Sequence, residues 1–120
     1  MAKEISVELT RLFDLYAPLL SDKRRQAFEY YYFDDLSLGE IAELQGVSRQ
    51  AVLESIRRGE QKLYGYEESL GFLKRLSAVY GAAEKIESAV SGARISASGG
   101  DDCTAQLDRI ADICRELLQL

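Results

Sequence analysis

Histidine is absent from this 120-residue chain. That absence removes every Ser-His and Cys-His nucleophile arrangement and every histidine-ligated metal site. Cysteine is scarce: Cys103 and Cys114 are the only two, and without a third or a histidine they offer zinc too few ligands. On one helix their eleven-residue separation would put them on a similar face but about 16 Å apart, too far for a disulfide within the chain. They are read as buried, reduced thiols, and only two copies pairing along this segment would link them. No run approaches the ~18 uninterrupted apolar residues of a membrane span. Lys3, Glu4 and Glu8 put charge where a secretory leader needs apolar residues. A cytoplasmic protein without membrane insertion is expected. Basic residues are outnumbered 20 to 15, a net charge of −5, which argues against coating nucleic acid by bulk charge but leaves room for a local basic face.

The residues present, 47% hydrophobic and 29% charged, suit an ordinary globular chain. At this length roughly two-thirds of the unfolded surface can be buried, so stability requires no cofactor, and none is expected. Ile5, Leu9, Leu12, Phe13 and Tyr16 recur at helical spacing, and Pro18 closes that first helix. Ser21 and Asp22 offer caps to a second helix running to about Phe33, with Ala27, Phe28, Tyr31 and Tyr32 on its apolar face. Asp34-Asp35 interrupts the pattern. Ser37 with Glu40 forms a capping box that opens a third helix, about Leu38 to Gln45. Gly46 permits a tight turn of positive φ. Ser48 can cap a fourth helix, whose inner face is Val52, Ile56 and Leu63, and Gly65 is expected to be a joint.

Beyond it, Leu70, Leu73, Leu76, Tyr80, Ala83, Ile86 and Val90 form a long amphipathic pattern suited to helix packing or a short coiled coil. Ser91 to Gly100 reads as a flexible serine- and glycine-rich connector. A last helix, near Asp101 to Gln119, aligns Leu107, Ile110, Cys114, Leu117 and Leu118. No alternating β-branched run competes, so the expectation is an all-α helical bundle.

The segment Leu38 to Arg57 carries the functional signal. Two helices crossing through a short turn need a small residue at the contact, a turn residue tolerating positive φ, and branched residues seating the second helix. Ala42, Gly46 and Val52 meet those needs in order, with Ile41, Leu44, Val47 and Ile56 expected to complete the wedge. With Val52 inward, Gln50, Glu54, Arg57 and Gln61 point within about 40° of the opposite direction, flanked by Leu53 and Arg58. Glutamine suits adenine, arginine suits guanine and glutamate accepts from cytosine in a major groove. Ser48 and Arg49, at the helix start, suit a phosphate. Ser48, Arg49, Gln50, Leu53, Glu54, Arg57 and Arg58 are therefore the candidate contacts to duplex DNA. Lys23, Arg24, Arg25 and Lys62 are candidate phosphate contacts. From Ser48 to Lys62 the net charge is +2.

Other readings compete. The same motif serves as a protein- or ribonucleoprotein-docking surface or as plain scaffolding, and Glu54 would repel phosphates. Tyr30 to Phe33 could stack unpaired bases, but the shared face of Phe28, Tyr31 and Tyr32 favours core. The carboxylate pairs Asp34-Asp35 and Glu67-Glu68 border helix ends or solvent with no nucleophile nearby, which favours caps over acid-base or metal work. Nothing points to an enzyme.

The stretch Phe28 to Leu63, with Tyr32-Phe33, Leu36-Ser37, Glu40 to Glu43, Gly46-Val47-Ser48 and Arg57-Arg58, resembles region 4 of bacterial sigma factors. There the second helix of the motif reads a promoter element. Closer still, Leu12-Phe13-Asp14, Tyr16, Pro18-Leu19-Leu20, Tyr31-Tyr32, Asp34 to Ala42 and Val47 to Val52 resemble the small YlxM-type helix-turn-helix proteins, over about residues 5–75. That resemblance implies a DNA-binding regulator or a role beside the signal recognition particle pathway, whose proteins are then expected partners.

Residues 1–65 are expected to be the helix-turn-helix domain and 66–120 a helical extension for dimerisation or packing, a single compact unit being the alternative. One short recognition helix makes few contacts, so a homodimer reading two half-sites is expected. The charge divides as −2 over residues 1–66, 0 over 67–98 and −3 over 99–120. Asp101, Asp102, Asp108, Asp112 and Glu116 are thus expected to repel DNA or to cover the basic helix.

Overall fold

The computed structural model describes residues 4–100 and 102–120. Lys3, part of the leader argument, and Asp101, expected to open the last helix, lie outside the described residues. Those residues form an all-α fold: α1 (Val7–Tyr16), a 3-10 turn (Ala17–Leu19), α2 (Asp22–Tyr32), α3 (Leu38–Gln45), α4 (Arg49–Leu70), α5 (Phe72–Ser98) and α6 (Thr104–Leu117). The chain divides into two compact units, Met1–Leu73 and Lys74–Leu120.

In the first unit, serine caps set the helix starts. Ser6, Ser21, Ser37 and Ser48 each accept a backbone N–H three residues on, at 3.0, 3.3, 3.1 and 3.0 Å. Pro18 sits in the 3-10 turn, where its fixed φ is compatible and its missing N–H costs nothing. α4 is the hub, packed by α1, α2 and α3. One core cluster joins Leu9, Leu12, Phe13 and Tyr16 of α1 to Leu20, Phe28 and Leu63, with the Phe13 and Phe28 rings stacked at 4.6 Å. Fully burying a ring such as Phe28 stabilises by roughly 2–3 kcal/mol. The other cluster, Ala27, Ile41, Ala42, Val52 and Ile56, lies under the helix-turn-helix, with Tyr31 and Tyr32 packed at its edge.

Gly65 is not a joint. α4 runs through it to Leu70 and ends where Gly71 takes φ 65° and donates to the Glu67 carbonyl at 2.8 Å. A mid-helix glycine costs only about 1 kcal/mol, which the packed neighbours on α4 override. Beyond Gly71 the Tyr16 hydroxyl donates to Glu67 Oε1 at 2.7 Å and accepts from the Phe72 N–H at 3.2 Å, while the Leu73 N–H donates to the same carboxylate oxygen at 2.9 Å. Glu67 thereby caps α5. Burial, and then the bond to Glu67, raises the Tyr16 hydroxyl above its ordinary pKa.

The second unit is an antiparallel hairpin of α5 and α6. Ser91 to Gly100 is not a flexible connector: helix continues to Ser98, and the turn falls at Gly99 and Gly100, the latter at φ 78°. Small residues here leave room for side chains of α6 and its cap. A Cβ on Gly92 would lie 3.8 Å from Gln106 Cγ, the Gln106 side-chain amide donates to Ser96 Oγ at 3.2 Å, and the Cys103 thiol donates to the Ala93 carbonyl at 3.2 Å. The buried side chains are Ala82, Ala89 and Ile113. The expected stripes are not what this hairpin buries: Leu76, Tyr80, Leu107 and Leu118 are all exposed. The alanine face of α5, Ala82 and Ala89, a quarter turn away, is the one buried toward α6 instead. Neither cysteine is in a disulfide, as expected, but neither is buried: Cys114 is exposed, and Cys103 is half-buried at the cap position preceding α6.

Candidate nucleic-acid interface

The turn between α3 and α4 is built locally. Ser37 and Glu40 close a reciprocal capping box, and Gly46 takes φ 66°. The Val47 N–H reaches back to the Ala42 carbonyl at 3.1 Å, satisfying one carbonyl at the end of α3. Val52 and Ile56 then seat α4 on Ile41 and Ala42. Leu44 is not part of this wedge; it is 63% exposed. At 100° per residue it stands about 110° from the centre of the Ile41–Ala42 face, too far round α3 to reach α4.

With Val52 fixed inward, Ser48, Arg49, Gln50, Glu54, Arg57 and Arg58 are exposed, Gln61 and Lys62 continue the exposed surface, and Leu53 is half-buried on the flank. Gln50, Glu54, Arg57 and Gln61 follow one line along α4 for about 16 Å. Ser48 spends its hydroxyl on the Ala51 N–H, so a phosphate at this helix start would meet the remaining backbone donors. Arg49 lies over Gly39, whose added Cβ would stand 3.8 Å from its Nε.

The structure adds a feature that residue type alone did not mark. Glu54 Oε1 accepts from Arg58 Nε at 2.8 Å, with both side chains more than half exposed. The order, acid four residues before base, is the favourable one on a helix. Arg58 is thus held by the one carboxylate of the strip, which lowers the positive potential of that surface.

The second basic cluster is placed by α2. Lys23 is exposed, and its carbonyl accepts from Gln45 Nε2 at 2.9 Å, tying the start of α2 to the end of α3. Arg24 lies along α4: a Cβ on buried Gly59 would be 3.4 Å from its Cγ and Cδ. Arg25 pairs with Asp22 at 3.4 Å. The Nε atoms of Arg24 and Arg25 are buried without a hydrogen-bond partner. These arginines therefore join packing to charge, and Gly59 is what allows Arg24 to cross α4. Neither spacing nor composition signalled that contact.

The aromatic run lies against the core. Tyr31 and Tyr32 meet edge to face at 4.9 Å, and Phe33 tilts onto Phe13 at 5.5 Å. The Tyr32 hydroxyl donates to Glu60, and burial together with that bond raises its pKa. Of the acidic tail residues, Asp102 accepts from the Thr104 hydroxyl at 2.5 Å and from the Thr104 N–H at 2.9 Å, and these bonds, the hydroxyl's first, hold its carboxyl below the usual range. Asp112 pairs with Arg115 at 2.5 Å. Among the described residues no helix is long and apolar enough to cross a membrane.

Residues 3–98 match the family described as "Putative helix-turn-helix protein, YlxM / p13 like". The UPF0122 protein of Thermoanaerobacter sp. strain X514 is 44% identical over 82 residues, covering 68% of this chain and 70% of that protein. That of Shouchella clausii is 39% identical over 105 residues, 88% of this chain and 93% of its own length. That of Geobacillus kaustophilus is 50% identical over 72 residues, 60% and 66% of the respective chains.

Proposed function

From a chain that belongs to the YlxM / p13-like helix-turn-helix family, we propose a non-enzymatic, cytoplasmic regulator that contacts duplex DNA through the start and outer strip of α4. The observation that carries this is the exposed line Gln50, Glu54, Arg57 and Gln61 beside Ser48 and Arg49, on a helix seated by a capped turn. Its donors and acceptors match base edges in a major groove, and its first turn suits a phosphate. Leu53 sits where it can meet a thymine methyl, while Arg58, Lys62 and the Lys23 to Arg25 cluster serve the backbone. In this reading residues 1–65 carry the DNA contact and residues 66–120 hold two copies together, so that paired α4 helices read half-sites about 34 Å apart. The test is binding of the wild type and of an Arg49→Ala/Arg57→Ala variant to genomic fragments around the protein's own operon. Equal affinity at moderate salt would reject the DNA reading.

A second reading has its own support. Leu44 stands 63% exposed next to the turn, and Arg58 is neutralised by Glu54. Both suit docking to a protein or ribonucleoprotein of the signal recognition particle pathway. Retention of targeting GTPases in a nuclease-treated pull-down supports that adaptor role; recovery of DNA alone counts against it.

A further inference from the structure

The α5–α6 hairpin cannot enclose a core by itself. In Lys74–Leu120 the buried hydrophobic side chains among the described residues are two alanines and one isoleucine, and neither cysteine is in a disulfide. Units of this size ordinarily need a disulfide, a metal or another chain to compensate for so little burial.

Most of the apolar residues that the hairpin leaves exposed or half-buried fall into two stripes. On α5, Leu76, Val79, Ala83, Ile86 and Val90 follow spacings of three, four, three and four, the seam pattern of two-helix packing. At 100° per residue these five fall within about 40° of one direction, and no charged residue of α5 between Leu76 and Val90 shares that sector. On α6, Leu107, Ile110, Cys114 and Leu118 form a second stripe, while Asp108, Arg109, Asp112, Arg115 and Glu116 all lie outside it.

The two stripes lie on the same side. α5 turns Ala82 and Ala89 toward α6, and its seam lies about a quarter turn clockwise of them, seen from its N-terminus. α6 turns Gln106, Ile113 and Leu117 toward α5, and its stripe again lies about a quarter turn clockwise from its own N-terminus. Because the helices run antiparallel, equal rotations bring both stripes to one face of the hairpin. Val79 is 42% exposed there, Leu107 59% and Leu118 86%.

We propose that this face is where a second copy of the chain docks, hairpin on hairpin, to close a four-helix bundle. The identity of the occupant follows from area and pattern. Together the two stripes and neighbouring Tyr80 expose on the order of 700 Å² per copy, close to the ~800 Å² per partner of a standard stable interface and at or just above the ~300–600 Å² of a typical monomer's largest apolar patch. A heptad seam is filled by another heptad seam, and a second copy related by a two-fold axis supplies both matching stripes at once, closing four helices around one core. This deepens the dimeric part of the proposed function and is tested without DNA.

The experiment is sedimentation velocity on the full chain from 1 to 100 μM, with Cys114 alkylation followed on the same samples. A dimer is expected, with Cys114 protected at high concentration and reactive on dilution. Val79→Glu, and separately Leu107→Glu, should raise the dissociation constant on the order of 100-fold, because each dimer would bury two unpaired carboxylates. Both positions are exposed within the chain, and unchanged helical circular dichroism confirms that each variant folds. Ile95→Glu alters a residue that is 74% exposed but off the face, and should leave the dimer intact. A wild type that is monomeric throughout with freely reactive Cys114 overturns the proposal, as does a dimer indifferent to both face variants. An intact dimer that fails to bind DNA upholds this face and strikes only the α4 reading.

Discussion

Glu54→Gln separates the two roles of the exposed strip. In the folded chain Glu54 holds Arg58 at 2.8 Å, on a surface where both are well solvated. Such an i,i+4 pair stabilises the helix by only about 0.3–0.5 kcal/mol, so the substitution should leave the fold nearly unchanged. Its effect on a nonspecific duplex should be larger. Removing the carboxylate frees Arg58 for one further phosphate, and each phosphate neutralised on duplex DNA steepens log K against log salt by about 0.9. Referred to 1 M salt, one such contact is worth about eightfold at 0.1 M. Fluorescence anisotropy on a random-sequence duplex between 50 and 300 mM salt should therefore show about eightfold tighter binding near 0.1 M and a slope steeper by about 0.9. Unchanged affinity with an unchanged slope would refute the reasoning, because Arg58 would then make no phosphate contact even when released.

Three further outcomes follow from the fold. Gly46→Ala and Gly71→Ala, both at left-handed backbone, should each lose about 1–2 kcal/mol in urea unfolding, whereas Gly65→Ala, with open space around its Cβ, should gain about 0.5–1 kcal/mol. Tyr16→Phe keeps the ring buried but takes the acceptor from the Phe72 N–H and a donor from Glu67, so it should cost about 1–2 kcal/mol by the same measurement. Tyr16 and Tyr32 both have hydroxyl pKa values raised above the ordinary 10.0 by burial. The folded state then holds those protons more tightly than the unfolded one: the stability they confer is fully present below pH 10 and is lost as pH rises beyond it. Calorimetry from pH 8 to 11 should show a flat thermal midpoint up to about pH 10 and a fall above it, a fall that Tyr16→Phe lessens.

The helix starts at Ser21, Ser37 and Ser48, the capping box and the Gly46 turn were legible from residue order because each is a contact within three to five residues of sequence. The inner residues Val52, Ile56 and Leu63 were legible from their period, and the outward strip is the same arithmetic turned through half a circle. Leu44 was misread because a wedge inferred from apolar type ignores its angle on α3. Arg24 against Gly59 and Tyr16 against Glu67 span 35 and 51 residues of sequence, and no local pattern announces such pairs.

What the sequence determined by itself, then, is the all-α class, the family and the local geometry of the helix-turn-helix, since caps, turns and periodicity act over one helical turn. Tertiary structure decided the rest: that α4 passes through Gly65 to Gly71, that Ser91 to Ser98 is helix, and that α5 gives its alanines rather than its larger apolar side chains to α6. Helix length and face selection depend on which surfaces meet across the chain. A helix with two apolar faces specifies neither as the inner one until its neighbour is in place.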